Sequence, residues 1–163
     1  MMIKAILLLI ILSTSTMAET IPCFTPQEKC LPMILHEMNK AQKRIWLQGY
    51  VFTSRPIEEV LVESHKRGLD VRIILDHHQA RQKYSVASSL AENGIDVFLD
   101  HCLGIAHSKI IIADDKILTG SYNWTNSAEK RNCENLLLIQ DEPDTLKKYE
   151  ENFLSRQQKA RKL

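Results

Sequence analysis

Apolar positions recur along this chain at two periods, and the switch between them lays out its elements. Residues 26–43 place Leu31, Ile34, Leu35, Met38 and Ala41 at helical spacing. Residues 44–52 form an apolar run with Ile45, Leu47 and Val51, which reads as a strand. Pro56 opens a second helix, where proline's missing N–H is harmless; Ile57, Val60, Leu61 and Ser64 line its inner face and Gly68 closes it. A strand over 69–76, a helix over 84–92 ended by Asn93-Gly94 and a strand over 95–99 follow. Strands over 109–113, 116–119 and 134–140 come next, then an amphipathic helix over 143–158 with Leu146, Tyr149 and Phe153 inward. Strand and helix alternate through the first two thirds, which predicts an α/β fold, a mixed sheet flanked by helices.

The first eighteen residues stand outside that pattern. Lys4 precedes an apolar stretch over 5–12, too short to span a bilayer, and Thr16-Met17-Ala18 resembles a small-x-small cleavage site. The expectation is a secretory signal peptide over 1–18, cut before Glu19, and a periplasmic or secreted product; an uncleaved anchor is the alternative. Residues 19–163 then make one domain with its own core, without repeat or linker, and with no stable membrane insertion after cleavage.

Composition narrows the partners. The 21 basic and 20 acidic residues nearly cancel, so a nucleic-acid binder would rely on a local basic patch. The tail from Arg156 to Lys162 is one candidate patch, although a solvated helix end explains it more simply. Four cysteines in an exported chain suggest two disulfides. Of the three connectivities, local pairing is expected: Cys23 with Cys30, and Cys102 with Cys133. A zinc site on Cys23 and Cys30 is disfavoured by their wide spacing.

Candidate chemistry concentrates between His107 and Asn123. On a strand alternate side chains share a face, so His107 and Lys109 point the same way, as do Ser121 and Asn123. One nucleophile and three hydrogen-bond donors then converge, which suits a phosphodiester and offers no evident metal ligand set. Asp76-His77-His78 looks like a metal fragment, but adjacent strand histidines face opposite ways, and a polar loop bordering a groove is the simpler reading. His36 and His101 read as surface residues. Ser121 lacks the Gly-x-Ser-x-Gly elbow of a hydrolase, and no phosphate loop occurs. Tyr122 and Trp124 offer stacking faces for bases, although packing is the commoner fate of such aromatics.

The pattern His107-x-Lys109-x4-Asp114, followed by Gly120-Ser121-x-Asn123, resembles the signature of the phospholipase D superfamily, and most of all its small, single-motif bacterial endonuclease branch. Cys23-Phe-Thr-Pro, Tyr50-x-Phe-Thr-Ser54 and Arg67-Gly68-x-x-Val-Arg-x-x-Leu-Asp76 look like the family's framework, so the likeness spans nearly the whole chain after residue 18. The resemblance implies a phospholipase D-like fold and no cofactor. It implies that His107 attacks phosphorus to form a phosphohistidine, that Lys109, Ser121 and Asn123 hold the non-bridging oxygens, that Glu134 orients the histidine, and that Asp114 has a supporting, structural role.

Such chemistry needs two imidazoles, one neutral to attack and one protonated to release the leaving oxygen. A single motif therefore points to a homodimer with both copies of His107 at the axis, as the resemblance also implies. Apolar surface near 104–106 and 122–124 is the expected contact, burying on the order of 1,200 Å2 or more. The donors replace divalent cations, so hydrolysis is expected to survive chelation. The expected function is metal-independent cleavage of DNA, with RNA as a second substrate and little sequence preference. A phospholipase D acting on lipid head groups and a non-catalytic nucleic-acid-binding protein are the alternatives.

Overall fold

The computed structural model describes residues 18–163; the expected signal peptide lies almost entirely outside the described residues. Its elements are β1 (Glu19–Thr25), α1 (Leu31–Lys40), β2 (Arg44–Gly49), α2 (Arg55–Lys66), β3 (Asp70–Asp76), α3 (Ala87–Glu92), β4 (Asp96–Asp100), β5 (Ile110–Ala113), β6 (Lys116–Gly120), α4 (Asn126–Lys130), β7 (Glu134–Gln140), α5 (Pro143–Lys159) and β8 (Arg161–Lys162). The strands form one eight-stranded sheet in the order β1-β7-β6-β5-β2-β3-β4-β8. β2, β3 and β4 run parallel and the other pairings are antiparallel, which is the mixed α/β architecture expected.

Both sheet faces are buried. Ile45, Leu47, Ile73, Leu75, Val97, Leu99, Ile111 and Leu118 form one core, together with Ile34, Ile57, Leu61 and Leu90 of the helices. The alternate residues Trp46, Ile74, Ile110, Ile112 and Ile117 meet Phe153 of α5 on the other face. Trp46 stacks on Phe153 at 5.0 Å between ring centroids, with the Arg44 and Arg72 guanidinium groups 4.6 and 4.9 Å from its centroid. This two-period burial is why the apolar runs read correctly as strands.

Several expectations need correction. The first helix begins at Leu31, because residues before it turn back to close a Cys23–Cys30 disulfide. It ends at Lys40, because the backbone N–H groups of Gln42, Lys43 and Arg44 donate to the Asp114 carboxylate instead of extending the helix. The third helix shrinks to α3, preceded by a 3-10 turn over Gln79–Arg81, with the Ser85 hydroxyl accepting the Ala87 N–H. β1, α4 and β8 were not foreseen. The Cys102–Cys133 bridge is not formed, and both thiols are free. Cys102 follows β4 and Cys133 precedes β7, five strand spacings apart. That is roughly 24 Å of sheet width, against the Cα separation below ~7 Å that a bridge needs. Tyr122 and Trp124 are 1% and 0% exposed, so they contribute neither contact surface nor stacking faces. Trp124 instead donates its indole N–H to the Gln48 carbonyl at 2.9 Å, and Tyr122 its hydroxyl to Glu129 at 3.0 Å.

Candidate active site

The topology brings the chemistry to one edge of the sheet. The C-terminal ends of β1, β2, β3, β4 and β6 and the N-terminal ends of β5 and β7 all meet there. His107, Lys109, Ser121, Asn123 and Glu134 lie on this edge, but the first four sit just outside β5 and β6, so the alternation expected of strand residues does not govern them: His107 is exposed while Lys109 is buried. Asp114 lies off this edge. It sits at the far end of β5, five residues past Lys109 or roughly 17 Å of extended chain, where it organises the turn before β2.

His107 is exposed, and its ring packs on Tyr50 with centroids 4.6 Å apart. Lys109 is only 5% exposed; its Nζ donates to the His107 carbonyl at 2.6 Å and lies 5.2 Å from the centroid of the same Tyr50 ring. Burial pushes the Lys109 pKa down, and the Glu134 carboxylate only partly offsets this. An ammonium in that position gains from any anion that reaches it. The Thr119 hydroxyl donates to the Lys109 carbonyl at 2.9 Å and pins the start of β5.

Ser121 donates its hydroxyl to Glu134 Oε2 at 2.6 Å and accepts the Asn135 N–H at 3.0 Å. Glu134 Oε1 accepts from Asn132 Nδ2 at 2.9 Å, so the carboxylate meets Ser121 and Asn132 rather than His107 of its own chain. Gly120 makes this possible, because a Cβ there would strike the Asn135 carbonyl, which also accepts the Ser121 N–H at 3.0 Å. Asn123 is half-buried, and its Oδ1 is buried without a hydrogen-bond partner. The Trp124 carbonyl accepts the N–H groups of Thr53 and Ser54 at 2.9 and 3.0 Å, which ties this segment to the loop after β2.

Two openings flank the cluster. A cleft of about 230 Å3 lies between His107, Gln48, Asp100, Asn152 and Arg156. A broader groove of about 370 Å3 runs past Ser121 and Glu134 to the exposed Phe24. Sequence reading missed Tyr50, although it sits two residues beyond Gln48 at the end of an apolar run, where a side chain reaches the sheet edge. Among the described residues, no group of three His, Cys, Asp or Glu is placed to hold a metal ion. No helix among them is long and apolar enough to cross a membrane.

Residues 34–157 match the family described as "Cardiolipin synthase, PLD-like domain". The chain is 40% identical to a phospholipase D of Rickettsia conorii over 135 residues, covering 82% of this chain and 67% of that protein. It is 35% identical to the mitochondrial cardiolipin hydrolase of Mus musculus over 122 residues, covering 74% of this chain and 55% of that protein. It thus spans about half to two thirds of the length of these curated relatives. Among solved structures, the phospholipase D family member Nuc from Salmonella typhimurium superposes with a TM-score of 0.85 at 29% identity, over 90% of this chain and 99% of that one. NucT from Helicobacter pylori superposes with a TM-score of 0.83 at 24% identity, over 90% and 100% of the two chains, a likeness of fold. With His107, Lys109, Ser121, Asn123 and Glu134 on one sheet edge and the family matched over residues 34–157, the chain belongs to the phospholipase D superfamily and is a phosphodiesterase of that kind.

Proposed function

We propose that this protein is an exported endonuclease that hydrolyses phosphodiester bonds of DNA, and of RNA as a second substrate, with little sequence preference. The observation that carries this reading is the pairing of a buried Lys109 ammonium with an exposed His107 imidazole on the wall of an open cleft that Gln48, Asp100, Asn152 and Arg156 also line. A neutral His107 attacks phosphorus, forming a P–N bond as the P–O bond to the leaving nucleoside breaks. A protonated second imidazole gives its proton to that oxygen. Water then attacks phosphorus, the P–N bond breaks, and the water proton returns to the second imidazole. Lys109, Ser121 and Asn123 bind the non-bridging oxygens, and Glu134 holds Ser121 in place. These fixed donors supply the charge stabilisation that divalent cations give other nucleases, so turnover continues in chelator.

The second imidazole is His107 of another copy, in a homodimer whose shared axis crosses the site. The exposed Leu103 and Ile105, in the loop before His107, supply part of the apolar contact. Cleavage before Glu19 releases a single domain into an oxidising compartment, in keeping with the Cys23–Cys30 disulfide. A second reading, hydrolysis of phosphatidyl head groups, is favoured by the names of the Rickettsia and mouse relatives. Labelled oligonucleotide digestion and choline release from phosphatidylcholine, both in chelator, separate the two. The nuclease reading expects the first activity alone, and its loss in His107→Ala. Lipid turnover without nucleic-acid cleavage refutes it.

A further inference from the structure

The edge that carries His107 also carries three histidines that this chemistry does not use. β3 ends at Asp76 and β4 at Asp100 as neighbouring parallel strands, so His77 and His101 leave the sheet side by side. The His77 N–H donates to the Asp100 carbonyl at 3.3 Å. The His77 ring lies 3.7 Å from the His78 ring and 4.0 Å from the His101 ring, centroid to centroid. Asp76 builds this arrangement. Its Oδ1 accepts the His78 and Gln79 N–H groups at 3.1 and 3.0 Å, which curls the chain and brings two adjacent histidines onto each other. Its Oδ2 accepts the Ala106 N–H at 3.0 Å, one residue before His107. The cluster is thus one hydrogen bond from the loop that delivers the nucleophile.

The groups facing His77 are His78, His101, Arg81 and Asp76. Asp76 is the one anion among them, and both its oxygens are already occupied by N–H donors; beside His101 stand Asp100, already paired with Arg156, and the cationic Lys159. Partial desolvation, followed by His101, His78 and Arg81, holds the His77 imidazole below the usual histidine range. A cluster short of anions charges on acidification and is steadied by an added one. The rings are tilted against one another, by 48° for His77–His78 and 31° for His77–His101, and among the described residues no such group is placed to hold a metal ion.

We propose that His77, His78 and His101 form a flanking subsite for a backbone phosphate of a nucleic-acid strand, one that takes up protons on engaging the strand and so tightens binding as pH falls below neutrality. The inference rests on the nuclease reading. Its sign follows from linkage: the polyanion raises the imidazole pKa values, protons are taken up between the free and bound values, and affinity climbs as pH drops through that window. Each proton taken up changes affinity by roughly tenfold per pH unit.

The test uses the full chain carrying His107→Ala, a fluorescent oligothymidylate whose bases do not titrate near neutrality, fixed ionic strength and chelator. Fluorescence anisotropy between about pH 7.5 and about pH 5.5 should show tightening of about tenfold or more. His78→Gln with His101→Gln, both at exposed positions, should remove most of that gain. His101→Lys, cationic throughout, should bind more tightly at pH 7.5 and flatten the profile. An unchanged slope in the glutamine variant overturns the inference, as does a slope that appears only with added zinc. If wild type cuts the oligonucleotide while the slope survives the substitutions, the subsite alone falls. If wild type neither cuts nor binds it at either pH, the nuclease reading falls too.

Discussion

Asp114→Gly and Asp114→Asn should weaken the fold while leaving turnover per folded molecule within a few-fold of wild type. Asp114 takes a left-handed backbone, φ +54°, in the turn between β5 and β6. Its carboxylate accepts three N–H groups, from Gln42 at 2.8 Å, Lys43 at 2.9 Å and Arg44 at 3.0 Å. Burial alone would raise its pKa; the three N–H donors and the Lys43 charge outweigh that and hold it below the usual carboxylate range. A hydrogen bond to a charged group is worth about 1.5–3 kcal/mol. Gln42 and Lys43 are exposed, so water replaces much of what two of the three bonds supply. The expected loss is about 2–3 kcal/mol for glycine. It is about 1–2 kcal/mol for asparagine, which keeps one acceptor oxygen and tolerates the left-handed backbone. At roughly 2–4 °C per kcal/mol, Asp114→Gly should melt about 4–12 °C lower. The depressed pKa fixes the sign with pH: the contribution is complete above the unfolded value near 3.9 and is lost as pH falls through the folded value. The gap between wild type and Asp114→Asn should therefore narrow in acid. Thermal melts against pH, with phosphodiester turnover assayed well below every melting point, check this. An Asp114→Asn protein that melts like wild type yet loses a hundredfold of turnover would refute the reasoning and put the carboxylate in the chemistry.

Cys23→Ser with Cys30→Ser should cost about 2–3 kcal/mol, from the small loop that the seven-residue separation closes, and reductant should lower the wild-type melting point similarly. Gly120→Ala should reduce turnover at least tenfold and also lower the melting point, because the new Cβ displaces the Asn135 carbonyl that accepts the Ser121 N–H. Lys109→Met should lower turnover by about 100- to 1,000-fold. The same change should hold or raise the melting point at pH 7, since it removes a buried ammonium whose pKa burial depresses. Because the folded Lys109 pKa lies below the unfolded value near 10.4, wild type should gain on this variant as pH rises toward that value.

What was legible in the sequence follows from where each fact is stored. β2, β3 and β7 are runs whose apolar positions repeat at the strand period, so composition and period agree there. β1 carries Pro22 within a mixed run, which argues against a strand; as an edge strand paired only with β7 it tolerates the missing N–H. His107 and Lys109 stand out in the sequence by their spacing, but the segment that carries them ends before β5 begins, so a shared strand face does not follow. Tyr50 does not stand out, because its partner ring, His107, arrives on the segment leading into β5, which an antiparallel pairing that only the fold sets lays beside β2. The histidine cluster contradicts the expectation for adjacent strand residues for a local reason: the strand stops at Asp76, and its carboxylate turns the chain within two residues. The error over Cys102 and Cys133 is one of scale, since nearness in sequence says nothing about the four strands lying between them in the sheet.

A mixing experiment bears on the part of the mechanism that one chain leaves open. His107 cannot both attack phosphorus and protonate the leaving oxygen in the same step, because the lone pair that attacks belongs to an unprotonated ring. The ring packed on His107 within the chain is the Tyr50 phenol rather than a second imidazole. His77 lies on the flank, with its ring against those of His78 and His101. If two copies of His107 share one site, a wild-type subunit paired with His107→Ala has a nucleophile without an acid, or an acid without a nucleophile. Random co-refolding of the two should then give activity that follows the square of the wild-type fraction, about a quarter at equal mixing. Independent monomeric sites give a straight line, about a half at equal mixing. A linear result from subunits shown to exchange would dismiss the shared site and require an acid from within the single chain.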